Sequence, residues 1–78
     1  MRLVDIIPKI AQALISLCDE NGPQKFSCWE VSERGGGASN MRIGRVARQH
    51  LAAIKQQLAG SDYQLANYDG RFHMEKRA

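Results

Sequence analysis

Disulfides, long apolar runs and aromatic side chains are all scarce in this chain, and each scarcity closes off a class of function. Two cysteines in 78 residues, Cys18 and Cys28, are too few for the disulfide framework of a small secreted domain. They read instead as small buried apolar groups in a reduced compartment, which puts the expected location in the cytoplasm. No apolar run reaches the ~20 residues that a membrane-spanning helix needs. The stretch from Leu3 to Leu17 carries Asp5, Pro8 and Lys9 and lacks a small-residue cleavage site, so neither a membrane anchor nor a signal peptide is expected. Aromatics make up 6% of the chain, which leaves no aromatic-rich sheet on which single-stranded bases could stack. The two histidines, His50 and His73, have no Ser/Asp or Cys partner at a catalytic spacing. With Cys18 and Cys28 they form no CxxC or HxxxH ligand pattern. Gly35-Gly36-Gly37 precedes a helix but lacks the GK[ST] ending and the preceding buried strand of a phosphate loop. No enzyme, cofactor, metal or small-molecule substrate is expected.

One further absence is the most telling: there is no acidic residue between Glu33 and Asp62. The net charge of +3 permits a polyanionic partner without demanding one. The clustering of that charge says more.

Periodicity divides the chain into a first helix at about 5–20, a second at about 28–34, a long third at about 40–59 and a hairpin at about 63–75. On the first, Leu3, Ile7, Ile10, Leu14 and Leu17 fall along one line at ~100° per residue. Ile6 and Ala13 flank them on one side, and Val4, Ala11, Ile15 and Cys18 on the other. Asp5 is the expected N-cap, with Pro8 in the first turn, and Asn21-Gly22-Pro23 is a stop signal. The apolar arc exceeds the width needed to lie on a single core. Either three neighbours surround it, or Val4, Ala11 and Ile15 form the seam of a homodimer. Ser27-x-x-Glu30 is a capping box for the second helix, on which Trp29 and Val31 are expected to be core anchors. Ser39 or Asn40 caps the third. Its apolar face is Ile43, Val46, Ala47, Leu51, Ile54 and Leu58, with His50 in the middle. Its opposite face is Arg42, Arg45, Arg48, Gln49, Ala52, Lys55 and Gln56. A solvated face usually mixes signs so that residues one turn apart attract; this one repels itself and calls for an anion. Asp69-Gly70 is a type I′ hairpin signal. A two-residue loop pairs Leu65 with Met74 and Asn67 with Phe72 on one face, and Ala66 with His73 and Tyr68 with Arg71 on the other. Lys76 and Arg77 add charge at the tail.

In this order, Ser27, Glu30, Val31, Gly36, Ser39, Ile43 and Arg45 resemble the winged helix-turn-helix family of DNA-binding domains, which includes many small bacterial and phage-type transcriptional regulators. The resemblance runs over nearly the whole chain. It departs from the family at the turn, where Gly35 replaces an apolar residue and Gly35-Gly36-Gly37-Ala38 is one residue longer than usual. Ser32 stands where alanine is usual. The resemblance implies an α+β, mostly helical fold: a three-helix winged helix-turn-helix with a C-terminal β-hairpin wing. It further implies sequence-specific binding of double-stranded DNA, with the recognition helix in the major groove. Arg42 and Arg45 would read base edges. Ser39, Asn40, Arg48, Gln49, Lys55 and Arg71 would complete the DNA-binding set, largely through phosphates. The alternative is a winged-helix protein-interaction module that docks through the apolar face of the first helix.

Overall fold

The computed structural model describes residues 2–78 and runs α1 (Leu3–Asn21), β1 (Lys25–Ser27), α2 (Cys28–Glu33), α3 (Asn40–Gln49), α4 (Leu51–Gln57), β2 (Tyr63–Tyr68) and β3 (Arg71–Lys76). The architecture is α+β: four helices, and one antiparallel sheet of three strands in the order β1-β3-β2.

α1 starts earlier than Asp5, which is therefore not its cap. The Arg2 carbonyl accepts from the amides of Asp5 and Ile6 at 2.9 and 3.0 Å. Asp5 sits in the first turn, where a carboxylate suits the positive end of the helix dipole. Pro8 falls beyond the first turn, and its missing N–H leaves the Val4 carbonyl without a helical donor. The exposure of Val4 (65%) keeps water within reach of that turn. The helix ends as expected at Gly22, whose N–H donates to the Cys18 carbonyl at 2.8 Å. Three neighbours, α2, α3 and α4, pack on α1 and account for its wide apolar arc. Ala11 is 2% exposed, enclosed by its own chain. That removes it from the expected dimer seam and leaves Val4 with the half-buried Ile15.

The capping box forms: Ser27 Oγ accepts from the Glu30 amide at 3.1 Å, and Glu30 Oε1 accepts from the Ser27 amide at 3.0 Å. Trp29 is not in the core; it is 60% exposed. A helix of six residues presents one side inward. Val31 takes that side, and Trp29 lies about 200° around the axis from it. After α2, the Gly36 amide donates to the Val31 carbonyl at 3.0 Å, and Ser32 Oγ straps the turn by donating to the Ala38 carbonyl at 2.8 Å. A Cβ on Gly36 would stand 2.8 Å from Ile43 Cδ1 and 2.9 Å from the Val31 oxygen. The turn is thus closed by the Gly36 backbone packed against the Ile43 side chain and the Val31 carbonyl, without an apolar side chain at Gly35.

The expected single helix over 40–59 is two helices, so the fold has four helices, not three. His50, at φ −132° and ψ 36°, breaks it. Its amide still bonds the Val46 carbonyl at 2.8 Å, and its carbonyl accepts from Ile54 at 3.2 Å, so the chain bends without losing continuity. The bend reconciles two packing demands. α3 lies against α2, burying Ile43, Val46 and Ala47, while α4 lies against α1, burying Ile54 and Leu58.

In the sheet, Phe26 pairs with Phe72 and both are fully buried. β1 is therefore an edge strand, although only three residues long. Leu65 pairs with Met74 as expected, but a bulge at Ala66 then shifts the register, so that Asn67 pairs with His73 and Tyr68 with Phe72. The straight register would have turned the Asn67 amide toward the core opposite Phe72. The extra residue turns Tyr68 inward instead, sparing the burial of a primary amide. The loop is not type I′: Gly70 has φ 108°, and Asp69 keeps a negative φ.

Gly36→Ala should cost about 1–3 kcal/mol through overpacking against backbone and Ile43, read as a lower urea midpoint at unchanged m-value.

Candidate nucleic-acid interface

α3 is oriented from its ends inward. Ser39 caps it, with Oγ accepting from the Arg42 amide at 3.3 Å. Because Ile43, Val46 and Ala47 face the core, Asn40, Arg42, Arg45, Arg48 and Gln49 are left exposed on the outside. Between this face and the hairpin runs a groove of about 520 Å³, lined by Asn40, Met41, Gly44, Arg45, Arg48 and Gln49 of α3, Cys28 of α2, and Tyr68 and Gly70 of the hairpin. Two guanidinium groups and two side-chain amides thus surround a floor of thiol, phenol and bare backbone, and no carboxylate lines it.

The floor is closely joined. The Tyr68 hydroxyl is 2.9 Å from Cys28 Sγ, and its ring packs on Phe72 with centroids 4.7 Å apart. Burial, followed by the bond to Cys28, pushes the Tyr68 phenol up to about 12, against the opposing pull of Arg48. On the other side of the hairpin tip, Lys25, Asp69, Gly70, Arg71 and His73 line a smaller groove of about 380 Å³. There Asp69 accepts from the Arg71 amide at 3.3 Å and pairs with His73 Nε2 at 2.8 Å; the His73 bond holds its carboxyl below the usual value.

Of the eight residues expected to bind DNA, Asn40, Arg45, Arg48 and Gln49 meet in the main groove. Ser39 spends its hydroxyl on the cap, and Arg42 is exposed on α3 outside the groove lining. Lys55 is exposed on α4, beyond the bend, and lines neither groove. Arg71 is exposed at the hairpin tip in the smaller groove. Sequence reasoning missed Cys28, Met41 (76% exposed), Gly44, Tyr68 and Lys25. One signal was present: glycine in a helix interior is disfavoured by about 1 kcal/mol against alanine, so Gly44 advertised a close approach. Tyr68 was hidden by the bulge.

The arginines divide by partner. Arg34 pairs with Glu20 and donates to Ser16 Oγ at 3.2 Å. Arg77, expected as loose tail charge, donates to the carbonyls of Ser61, Leu58 and Tyr63 at 3.1, 3.1 and 2.9 Å. Among the described residues no carboxylate lies within ion-pair distance of Arg42, Arg45 or Arg48. Also among the described residues, no three His, Cys, Asp or Glu side chains are grouped to hold a metal ion, and no helix is long and apolar enough to cross a membrane.

Both tyrosines are held protonated: Tyr63 by donating to Asp19 Oδ1 at 2.6 Å, which raises it to about 12, and Tyr68 as described. A raised phenol adds stability that is complete below the unfolded value of 10.0 and is lost as pH climbs toward about 12. Tyrosinate absorbance of the folded protein should therefore rise well above pH 10, and that of the urea-unfolded chain near 10. Coincident curves would contradict both hydrogen bonds. No protein-family model matches the chain, and no curated protein or solved structure gives a significant match.

Proposed function

We propose that the protein is a winged-helix-type DNA-binding regulator that inserts α3 into the major groove of a duplex, with the β2–β3 hairpin as its wing. The observation that carries this reading is the convergence of Asn40, Arg45, Arg48 and Gln49 on one acid-free groove, with no carboxylate near Arg45 or Arg48. Crowded cations without partners repel one another, and a phosphate-bearing ligand relieves that repulsion. The side chains are chemically suited to a duplex: arginine can bond guanine O6 and N7 with two donors, and asparagine or glutamine can bond adenine N6 and N7.

A division of labour follows. Arg42 and Arg45, on the N-terminal half of α3, read base edges, as helix-turn-helix docking requires. Adjacent major and minor grooves are separated by one sugar–phosphate strand. With α3 in one groove and the hairpin tip over the next, that strand occupies the trough between them, against Arg48, Gln49 and the Gly70 backbone. Arg71 and Lys25 follow the same strand on the outer side of the tip. Lys55 contributes long-range attraction only. The competing reading, docking of a protein partner on α1, has lost Ala11 to the interior and retains an exposed Val4 and a partly covered Ile15. A homodimer on a two-fold site would have to use that reduced seam.

The test is a titration of labelled duplex at several salt concentrations, with the fluorescence of the exposed Trp29 as a second signal. Contact with about 4–6 phosphates should give a log K versus log[salt] slope of about −4 to −5. A flat response, or no binding at low salt, rejects the reading. On a selected site, Arg45→Ala should cost about 1–3 kcal/mol and relax one base position. Equal losses on every sequence would make Arg45 a phosphate contact.

A further inference from the structure

The base and the tip of the hairpin are held in different ways. At the base, Tyr63 bonds Asp19 of α1, and Arg77 bonds the Leu58 carbonyl at the end of α4. At the tip, β3 is laddered to β1 through Ser27↔Arg71 and Phe26↔Phe72, a backbone connection that fixes the sheet but does not touch α3. Among the described residues, one side-chain hydrogen bond joins the hairpin to α2 or α3: Tyr68 to Cys28. Opposite it, α3 carries Gly44. A Cβ built there would stand 3.2 Å from the Tyr68 oxygen and 3.5 Å from Cys28 Sγ.

We infer that Tyr68, its hydroxyl held by Cys28 over the bare backbone of Gly44, is the positioning residue that seats the hairpin tip against α3 and sets the width of the groove between them. Each part has its own observation. The bulge at Ala66 delivers the phenol to the inner face. The Phe72 ring, tilted at 51°, supports it from behind. The thiol fixes the hydroxyl laterally. The missing side chain at 44 lets α3 come close enough to be felt. A methyl at 44 meets the oxygen at a distance tighter than ordinary contact, so the Tyr68 hydroxyl has to give by a few tenths of an ångström, and the tip is displaced with it. The role in DNA binding rests on the proposed function; the mechanical role does not.

The experiment uses Gly44→Ala, Tyr68→Phe and the double variant, each read in two ways. Amide exchange of Asp69, Gly70 and Arg71 in the free protein reports the seating of the tip. Duplex affinity reports the groove. Gly44→Ala is expected to speed exchange at the tip and weaken duplex binding about fivefold to tenfold, with α1 and α4 amides unchanged. Removing the hydroxyl clears the atom that the methyl meets. The double variant should therefore return to the level of Tyr68→Phe alone, a rescue that general destabilisation would not produce. Wild-type exchange in Gly44→Ala, or losses that simply add in the double variant, would overturn the inference. If Gly44→Ala does not fold, folding of the double variant upholds it and failure of both overturns it. If the wild-type protein does not bind duplex, the DNA reading falls, and tip exchange alone decides the positioning role.

Discussion

Between Val31 and Ile43 there is room for a hydrogen atom and little more, and Gly36 occupies it. The constraint is steric and short-ranged, yet the rest of the molecule follows from it. With α2 brought this close, α3 must present Ile43, Val46 and Ala47 to the interior, and the arginines one and two turns along have nowhere to go but outward. Because α3 is tied to α2 while Leu58 and Ile54 are drawn to α1, the helical segment cannot remain straight, and it yields at His50. The Gly36 backbone lies directly against the Ile43 side chain and the Val31 carbonyl, which leaves no room for a side chain between them.

Much of the fold was legible because it depends on local chemistry. The capping box at Ser27 and Glu30 and the Gly22 stop were readable from residue type and spacing, and the cap of α3 was narrowed to Ser39 or Asn40, since each is a hydrogen bond between near neighbours. The apolar faces were readable as well: nearly every residue assigned to the inner side of the long helical segment is buried. Three of the misreadings share a different cause. His50, Trp29 and Ala66 were decided by tertiary contacts that no window of sequence contains. At His50 two packing partners pulled in different directions. Trp29 lost the single inward position on a short helix to Val31. At Ala66 the penalty for burying Asn67 outweighed a regular ladder. The site was legible in its charge and not in its floor. Arginines announce themselves in sequence, whereas Tyr68, Cys28 and Gly44 meet only in three dimensions.

The basic residues fall into two physical groups that composition cannot distinguish. Arg34 and Arg77 are spent on the molecule itself, one crossing to α1, the other gathering carbonyls where α4 ends and β2 begins. Carbonyls at a helix C-terminus are partially negative, so the Arg77 guanidinium there works as a cap supplied from a remote part of the chain. The arginines of α3 have no such internal use. A modest net charge therefore understates the field over α3, because it averages in carboxylates that all lie outside the acid-free groove.

The bulge at Ala66 makes the hairpin a device that counts. In a strand, each added or removed residue exchanges the inner and outer faces of everything beyond it, so what matters between Leu65 and Phe72 is parity and not similarity. Related sequences could replace most of these residues and keep the arrangement. Without the bulge, a two-residue loop would pair Tyr68 with Arg71, carry the aromatic ring to the other side of the sheet and turn the Asn67 amide inward. The register at this one position decides whether the ring reaches the floor of the α3 groove.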